Sequence, residues 1–512
     1  MQPIAEESSN LAVELGMVGE DGRLDEDDEE VFAMVAGTLD IEGSDPIMVE
    51  EARSQIDWPK WDDAIKKELN ALENARTWSV VKRPKGENIV GCKWVFRIKR
   101  NMDGEIDKYK ARLVAKGYSQ VYGVDYYDTY APVAQLASLR TILTIAACND
   151  WDINIFDFHS AFLNGKLNPD EIIYMDLPPG LEVDKKFKNP VALLHVALYG
   201  SKQGALKWYQ ELCHLLASLG MQRTESDWGV FYRHIGMDII ILASHVDDCT
   251  VTGSNAKLIA DFKRDVATHY KLTDLGPISS LLSMKVMQDR HARTISFLHE
   301  SYIDAILTKF NFVDLKPCSI PMDPNIPLSL SQSPKTPAEI TTMRNIPYRE
   351  AVGLLMHLAV GTRPDITFTV STVAQFSANP GLQHWEAVKK FFCYLASSKK
   401  LALTFRDGKH GLEGFTDADR ASQEHRHAVS SYAFLLDGGA VSWSSKKQEL
   451  VTLSMTEAEY VAAHTPQKKL CGFADLFKKS SARSLDPPPF TATINPLSRS
   501  LNPVHFTRAP NI

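Results

Sequence analysis

The chain has 512 residues, 44% of them hydrophobic and 23% charged, with a formal net charge of −8. These values belong to a globular chain and exclude a largely disordered or fibrous one. No run nears the roughly 20 apolar residues a bilayer crossing needs, and Met1–Asn10 lacks the parts of a secretory leader.

Seven widely spaced cysteines form no Cys-x-x-Cys pair, which points to reduced thiols in the cytoplasm or nucleus. The charge is uneven: residues 1–56 hold 16 acids and two bases, leaving the remainder net positive. That acidic opening, poor in aromatic residues, reads as a flexible segment.

A helix is predicted from Trp58, with Pro59 in its first turn and Trp61, Ile65, Leu69 and Leu72 at helical spacing. Strand-like runs at Ile89–Lys99 and Tyr109–Lys116 flank Asn101–Gly104 and read as a hairpin. Lys82–Gln120 carries eleven Lys or Arg against four acids, interleaved with Trp94, Phe96, Tyr109 and Tyr118. Such a surface suits a phosphate backbone and stacked bases, and equally a solvated hairpin face.

Leu139–Cys148 reads as an apolar helix, Ile153–Phe158 as a strand and Ala205–Leu219 as a second helix. Asp157 lies within that strand, where aspartate is disfavoured. The apolar run Ile239–Ala243 then leads through His245-Val246-Asp247-Asp248 into Cys249–Gly253, a hairpin whose tip carries adjacent carboxylates. Such a pair needs bulk water or a divalent cation. Together with Asp157, the pair could hold two magnesium ions, as nucleotide polymerases do, though three separated acids do not alone define that chemistry.

Further on, Lys257–Tyr270 and Ser301–Phe310 read as helices, and Pro317–Pro347, rich in Pro, Ser and Thr, as a linker. Tyr348–Val360 and Trp385–Ser397 read as helices. Leu401–Phe405, Leu412–Asp417, Ser430–Leu436 and Gly439–Ser444 read as strands before a helix at Thr456–Ala463.

A collinear series of motifs runs through these elements: Trp61-Asp62-Asp63-Ala64-Ile65, Gly91-Cys92-Lys93-Trp94-Val95-Phe96, Tyr109 to Gly117, Tyr130-Ala131-Pro132-Val133 and Leu198-Tyr199-Gly200. It continues with Gly361 to Ile366, Phe415-Thr416-Asp417-Ala418-Asp419 and Ser442 to Gln448. From about Trp58 onward the chain resembles the reverse transcriptase and ribonuclease H portion of a copia-type LTR retrotransposon polyprotein. The resemblance implies an α+β fold: a right-hand polymerase of fingers, palm and thumb over 57–316, a linker at 317–347, connection helices at 348–400 and a truncated RNase H-like domain at 401–512.

It further implies RNA-directed DNA synthesis with two magnesium ions, or manganese, on an RNA template, a tRNA or DNA primer and deoxynucleoside triphosphates. The location implied is a cytoplasmic virus-like particle or the nucleus, and the oligomeric state stays open. Asp157, Asp247 and Asp248 would hold the metals, with Arg112 and Lys116 on the phosphates and Lys99 assisting. Phe162 would lie under the sugar and exclude a 2′-hydroxyl, or be an ordinary core ring.

In the nuclease, Asp417 and Glu459 match two of four metal-binding carboxylates, with Asp419 and Glu457 secondary. Asn502–Arg508 resembles a later family segment, but Ile494–Arg499 replaces the acidic motif before it, and the fourth acid would fall beyond Ile512. No useful RNase H activity is therefore expected. His245 stands where the family has an aromatic residue, and Ala205-Leu206 replace a Pro-Arg pair, marks of a degenerate copy. The alternatives are a catalytically silent relic that retains nucleic-acid binding, and an unrelated palm-like two-metal enzyme, which explains the acids but not the motifs.

Overall fold

The computed structural model describes residues 45–100, 106–181, 188–312, 316–323, 327–408, 411–419, 427–448, 450–452, 454–462, 491–494 and 507–508. Most of the acidic opening, the Asn101–Gly104 turn and the Asn495–Arg499 segment lie outside the described residues.

Helix α1 (Trp58–Asn74) buries Trp61, Ala64 and Leu72 against a two-stranded antiparallel hairpin of β1 (Cys92–Arg100) and β2 (Ile106–Ala115). The Trp61 ring meets Phe96 and Tyr109 edge-on, at centroid separations of 5.2 and 4.7 Å. Alternation puts Trp94, Phe96, Ala111 and Leu113 into this core, leaving the other face of the ladder to the basic residues.

Helix α2 (Leu136–Asn149) starts three residues earlier than the periodicity suggested and is buried almost all round. It lies against a six-stranded sheet built around β3 (Ile153–Phe158). Helix α3 (Gly204–Ser218) turns Trp208, Leu212, Leu215 and Leu216 inward. Next come β4 (Val230–Ile235), β5 (Asp238–His245), β6 (Asp248–Gly253), helix α4 (Ala256–His269) and β7 (Leu272–Pro277). The sheet order is β7, β3, β6, β5, β4 and then the short strand Gln222–Arg223. Phe156, Phe158, Trp208, Leu212, Ile240 and Leu242 fill the space between its face and α3 and α4. A sheet with helices against it is the expected α+β layering.

Strands β8 (Met284–Asp289) and β9 (Thr294–Leu298) precede helix α5 (Glu300–Lys309). The stretch read as a linker contains a helix at Pro337–Arg344, opened by a capping box between Thr336 and Glu339. Helices α6 (Tyr348–Gly361) and α7 (Leu382–Ser398) pack with α5 around Phe391, Phe392 and Leu395.

Strand β10 (Leu401–Arg406), counted with the nuclease in the sequence reading, hydrogen-bonds antiparallel to β9. Beyond it, β11 (Leu412–Ala418), β12 (Val429–Leu436) and β13 (Gly439–Lys447) form an antiparallel meander, with β14 (Thr491–Ile494) parallel to β11. One core joins α2, β3, β5, β9, β10, β12 and β13. Arg140 of α2 pins this junction: its guanidinium donates to the backbone oxygens of Val441 (3.2 Å), Gly361 (2.9 Å) and Val360 and lies 4.1 Å from the Trp443 ring. Among the described residues no helix is long and apolar enough to cross a membrane.

Candidate active site

The β5–β6 ladder runs from Ile240↔Gly253 to His245↔Asp248, so Val246 and Asp247 form a two-residue turn. Val246 has φ +61°, a left-handed conformation that a β-branched residue adopts only when its surroundings impose it. Two hydrogen bonds do so: Trp208 Nε1 donates to the Val246 carbonyl at 2.7 Å, and the Phe158 amide donates to the Asp247 carbonyl at 3.1 Å.

On the other edge of β6, Asp248 pairs directly with Asp157. Directly opposite residues project to the same face with β-carbons about 5 Å apart, so the two carboxylates are neighbours. Phe156 and Phe158, on either side of Asp157 along β3, are buried in the core. A disfavoured mid-strand aspartate is thus held in place by its own flanking rings. Both ring nitrogens of His245 are buried without a hydrogen-bond partner. Burial lowers its pKa, with Asp247 opposing the shift.

A stack of three side chains faces the carboxylates. The Arg112 guanidinium lies 4.5 Å from the Tyr199 ring centroid, and Phe162 meets the same ring at 4.8 Å. Burial raises the Tyr199 hydroxyl to about 12; Arg112 pulls it down, while Asp247, Glu68 and Asp157 push it up. These five groups therefore share one electrostatic neighbourhood. Gly200 makes the approach possible, with φ +80° and no room for a Cβ, which would lie 2.4 Å from the Ala115 oxygen.

Sequence reasoning chose Arg112 and Phe162 but gave Tyr199, which joins them, no role. It also missed Trp208, which holds the turn, and Glu68, whose pKa burial raises and Arg112 lowers. The signal for Tyr199 was its position before a glycine at a backbone crossing. Lys116 follows the end of β2: its amide donates to the Gly91 carbonyl at 2.8 Å, its stem lies beside Gly91, and its charge acts on Cys92. Lys99 pairs with Lys108 toward the far end of the hairpin, and its side chain is outside the described set.

Among the described residues no three His, Cys, Asp or Glu side chains are gathered tightly enough to form a metal cage on their own. Adjacent carboxylates repel one another, and magnesium is commonly bound through one or two carboxylates plus substrate phosphates. The Asp157–Asp248 pair fits that partial donor set.

In the C-terminal sheet, Asp417 is the next-to-last residue of β11, opposite Ser431, and residues 455–462 form a helix carrying Glu459. Both carboxyls bond the Ala418 amide. Burial raises the pKa of each, Asp419 adds to the shift at Asp417, and Asp417 adds to that at Glu459. The structure thus brings Asp417 and Glu459 together. Asp419 is engaged elsewhere, accepting from the Val429 amide at 2.6 Å, and Glu457 is exposed at the helix start. Thr416 pairs with Ile494, the last described residue of β14.

A carboxylate-tipped hairpin in a helix-backed sheet, facing an arginine on a separate two-stranded flap, is the layout of a polymerase palm with its fingers. The family "Reverse transcriptase (RNA-dependent DNA polymerase)" matches residues 75–324. The chain is 39% identical over 409 residues to a tobacco (Nicotiana tabacum) "Retrovirus-related Pol polyprotein from transposon TNT 1-94", covering 80% of this chain and 31% of that polyprotein. It is 34% identical over 462 residues to the transposon RE1 Pol polyprotein of Arabidopsis thaliana, covering 88% of this chain and 30% of the relative. A "Putative transposon Ty5-1 protein" of Saccharomyces cerevisiae is 30% identical over 310 residues, 60% of this chain and 97% of that protein. The chain belongs to the copia-type retrotransposon reverse transcriptase family. It spans about a third of the length of the plant polyproteins.

Proposed function

We propose that the chain is an RNA-directed DNA polymerase that adds deoxynucleotides to a tRNA or DNA primer on an RNA template. The observation that carries this reading is the Asp157–Asp248 register pair beside the Arg112–Tyr199–Phe162 stack. Asp157, Asp247 and Asp248 would hold two magnesium or manganese ions. When bound, such ions lower the pKa of a primer hydroxyl and neutralise the triphosphate. Arg112, held 4.5 Å from the Tyr199 ring centroid, would present its fork to phosphate oxygens with little loss of freedom. Lys116 and Lys99 would supply positive charge farther along the flap. Phe162, braced by Tyr199, would form the floor under the sugar and disfavour a 2′-hydroxyl.

Primer extension on poly(rA)/oligo(dT) with magnesium tests this. The expected result is extension by the parent chain and at least a hundredfold loss in Asp247→Asn, with hybrid binding retained. A parent chain that binds the hybrid without extending it would establish the second reading, a silent relic, which the departures at His245 and Ala205-Leu206 favour.

For the C-terminal domain we propose no useful RNase H activity, because Ile494–Arg499 carries no carboxylate where the family has an acid to join Asp417 and Glu459. Degradation of labelled RNA in a hybrid by the full chain, abolished by Asp417→Asn, would overturn that. The cellular setting proposed is a cytoplasmic particle or the nucleus, where the RNA template is found.

A further inference from the structure

Two half-buried cysteines outside both acidic sites lie against each other, although 75 positions separate them in the chain: Cys318 in the segment after α5, and Cys393 on α7. The Cys318 amide donates to the Cys393 carbonyl at 3.5 Å, and Ser397 Oγ donates to the Cys318 carbonyl at 2.7 Å. The Cys393 thiol donates to the Lys389 carbonyl at 3.4 Å, and the nearby Cys318 thiol adds to the upward shift of its pKa, which burial dominates. Upstream, Phe310 and Phe312 pack on Phe392 at 5.2 and 5.3 Å, so the exit from α5 is already held to α7 when the chain reaches Cys318. A direct backbone hydrogen bond brings the two residues within the Cα separation that a disulfide spans, so closing one requires side-chain rotation and no displacement of α7.

We infer that Cys318 and Cys393 form a redox-modification site, closing to an intramolecular disulfide when met by a disulfide oxidant such as oxidised glutathione. One thiolate attacks a glutathione sulfur and releases one glutathione thiolate. The second cysteine then displaces the other, forming the Cys318–Cys393 bond. Two electrons pass to glutathione, and the two cysteine protons end on two glutathione thiols. The bond ties the segment leaving α5 to α7, restricting the unfolded chain by a large loop.

The test is to incubate the full chain with oxidised glutathione, alkylate, and map peptides without reduction. The expected result is a Cys318–Cys393 linked peptide, a mass lower by two hydrogens, and an upward shift in melting temperature. Dithiothreitol reverses that shift, and Cys318→Ser and Cys393→Ser each lack it. Stable glutathionylation of either residue, or two thiols that still alkylate after oxidation, would overturn the inference.

Discussion

Replacing Arg140 with methionine removes the pin between α2, α6 and β13 while keeping an unbranched side chain in its place. Three acceptors lose their donor: the oxygens of Val360 and Gly361 at the end of α6, and that of Val441 on β13. Trp443 also loses the guanidinium 4.1 Å from its ring. Bonds from a charged donor contribute about 1.5–3 kcal/mol each, and a desolvated cation over an indole about 2. These terms do not add, because methionine also abolishes the cost of burying the charge. The expected net loss is about 2–4 kcal/mol, read from urea titration followed by tryptophan fluorescence, where Trp443 is itself a local reporter. Arg140→Lys should lose nearly as much, since an ammonium cannot fork to three carbonyls while stacking. Midpoints for R140M that match the parent, within about 0.5 kcal/mol, would refute the pin.

Arg112→Lys keeps the charge but loses the stack on Tyr199, so steady-state extension should show kcat/KM for deoxynucleotides falling about tenfold or more; unchanged kinetics would remove Arg112 from the site. Gly200→Ala places a Cβ 2.4 Å from the Ala115 oxygen at φ +80°, and should displace Tyr199 and lower thermal stability by several degrees, as differential scanning fluorimetry would show. His299 is held well below its ordinary 6.5 by burial, then by His357, Arg363 and Arg140. The unfolded chain takes up a proton there and the folded chain does not. Stability should therefore fall as pH drops below about 6.5, by up to about 1.4 kcal/mol per pH unit. His299→Gln should flatten that dependence in urea midpoints measured between pH 7 and 5, and an unchanged slope would contradict it.

How much was legible follows from where each constraint resides. The β5–β6 hairpin could be read because an apolar run, a two-residue turn and a second apolar strand are contiguous, and burial of alternate residues leaves one register. That Asp157 faces Asp248 was not readable as geometry, since the β3–β6 pairing joins segments some 90 residues apart through the packing of Phe156, Phe158 and Trp208. The backbone settings of Arg112 and Lys116 differ for a local reason. A spacing of four would keep both on one strand face, but β2 ends at Ala115 and the chain turns into a 3-10 segment at Gly117–Ser119. That turn exists because Gly117 and Gly200 meet backbone to backbone, a Cβ on Gly117 lying only 2.2 Å from the Gly200 oxygen. The same crossing sets Tyr199 beside Arg112. This pair of glycines thus fixes the local setting of both cations, and a reading of spacing along a single strand had no access to it. The helix at Pro337–Arg344 is the opposite case. Its Thr336–Glu339 capping box was present in the sequence, and an average over Pro, Ser and Thr content concealed a four-residue signal that the backbone obeys.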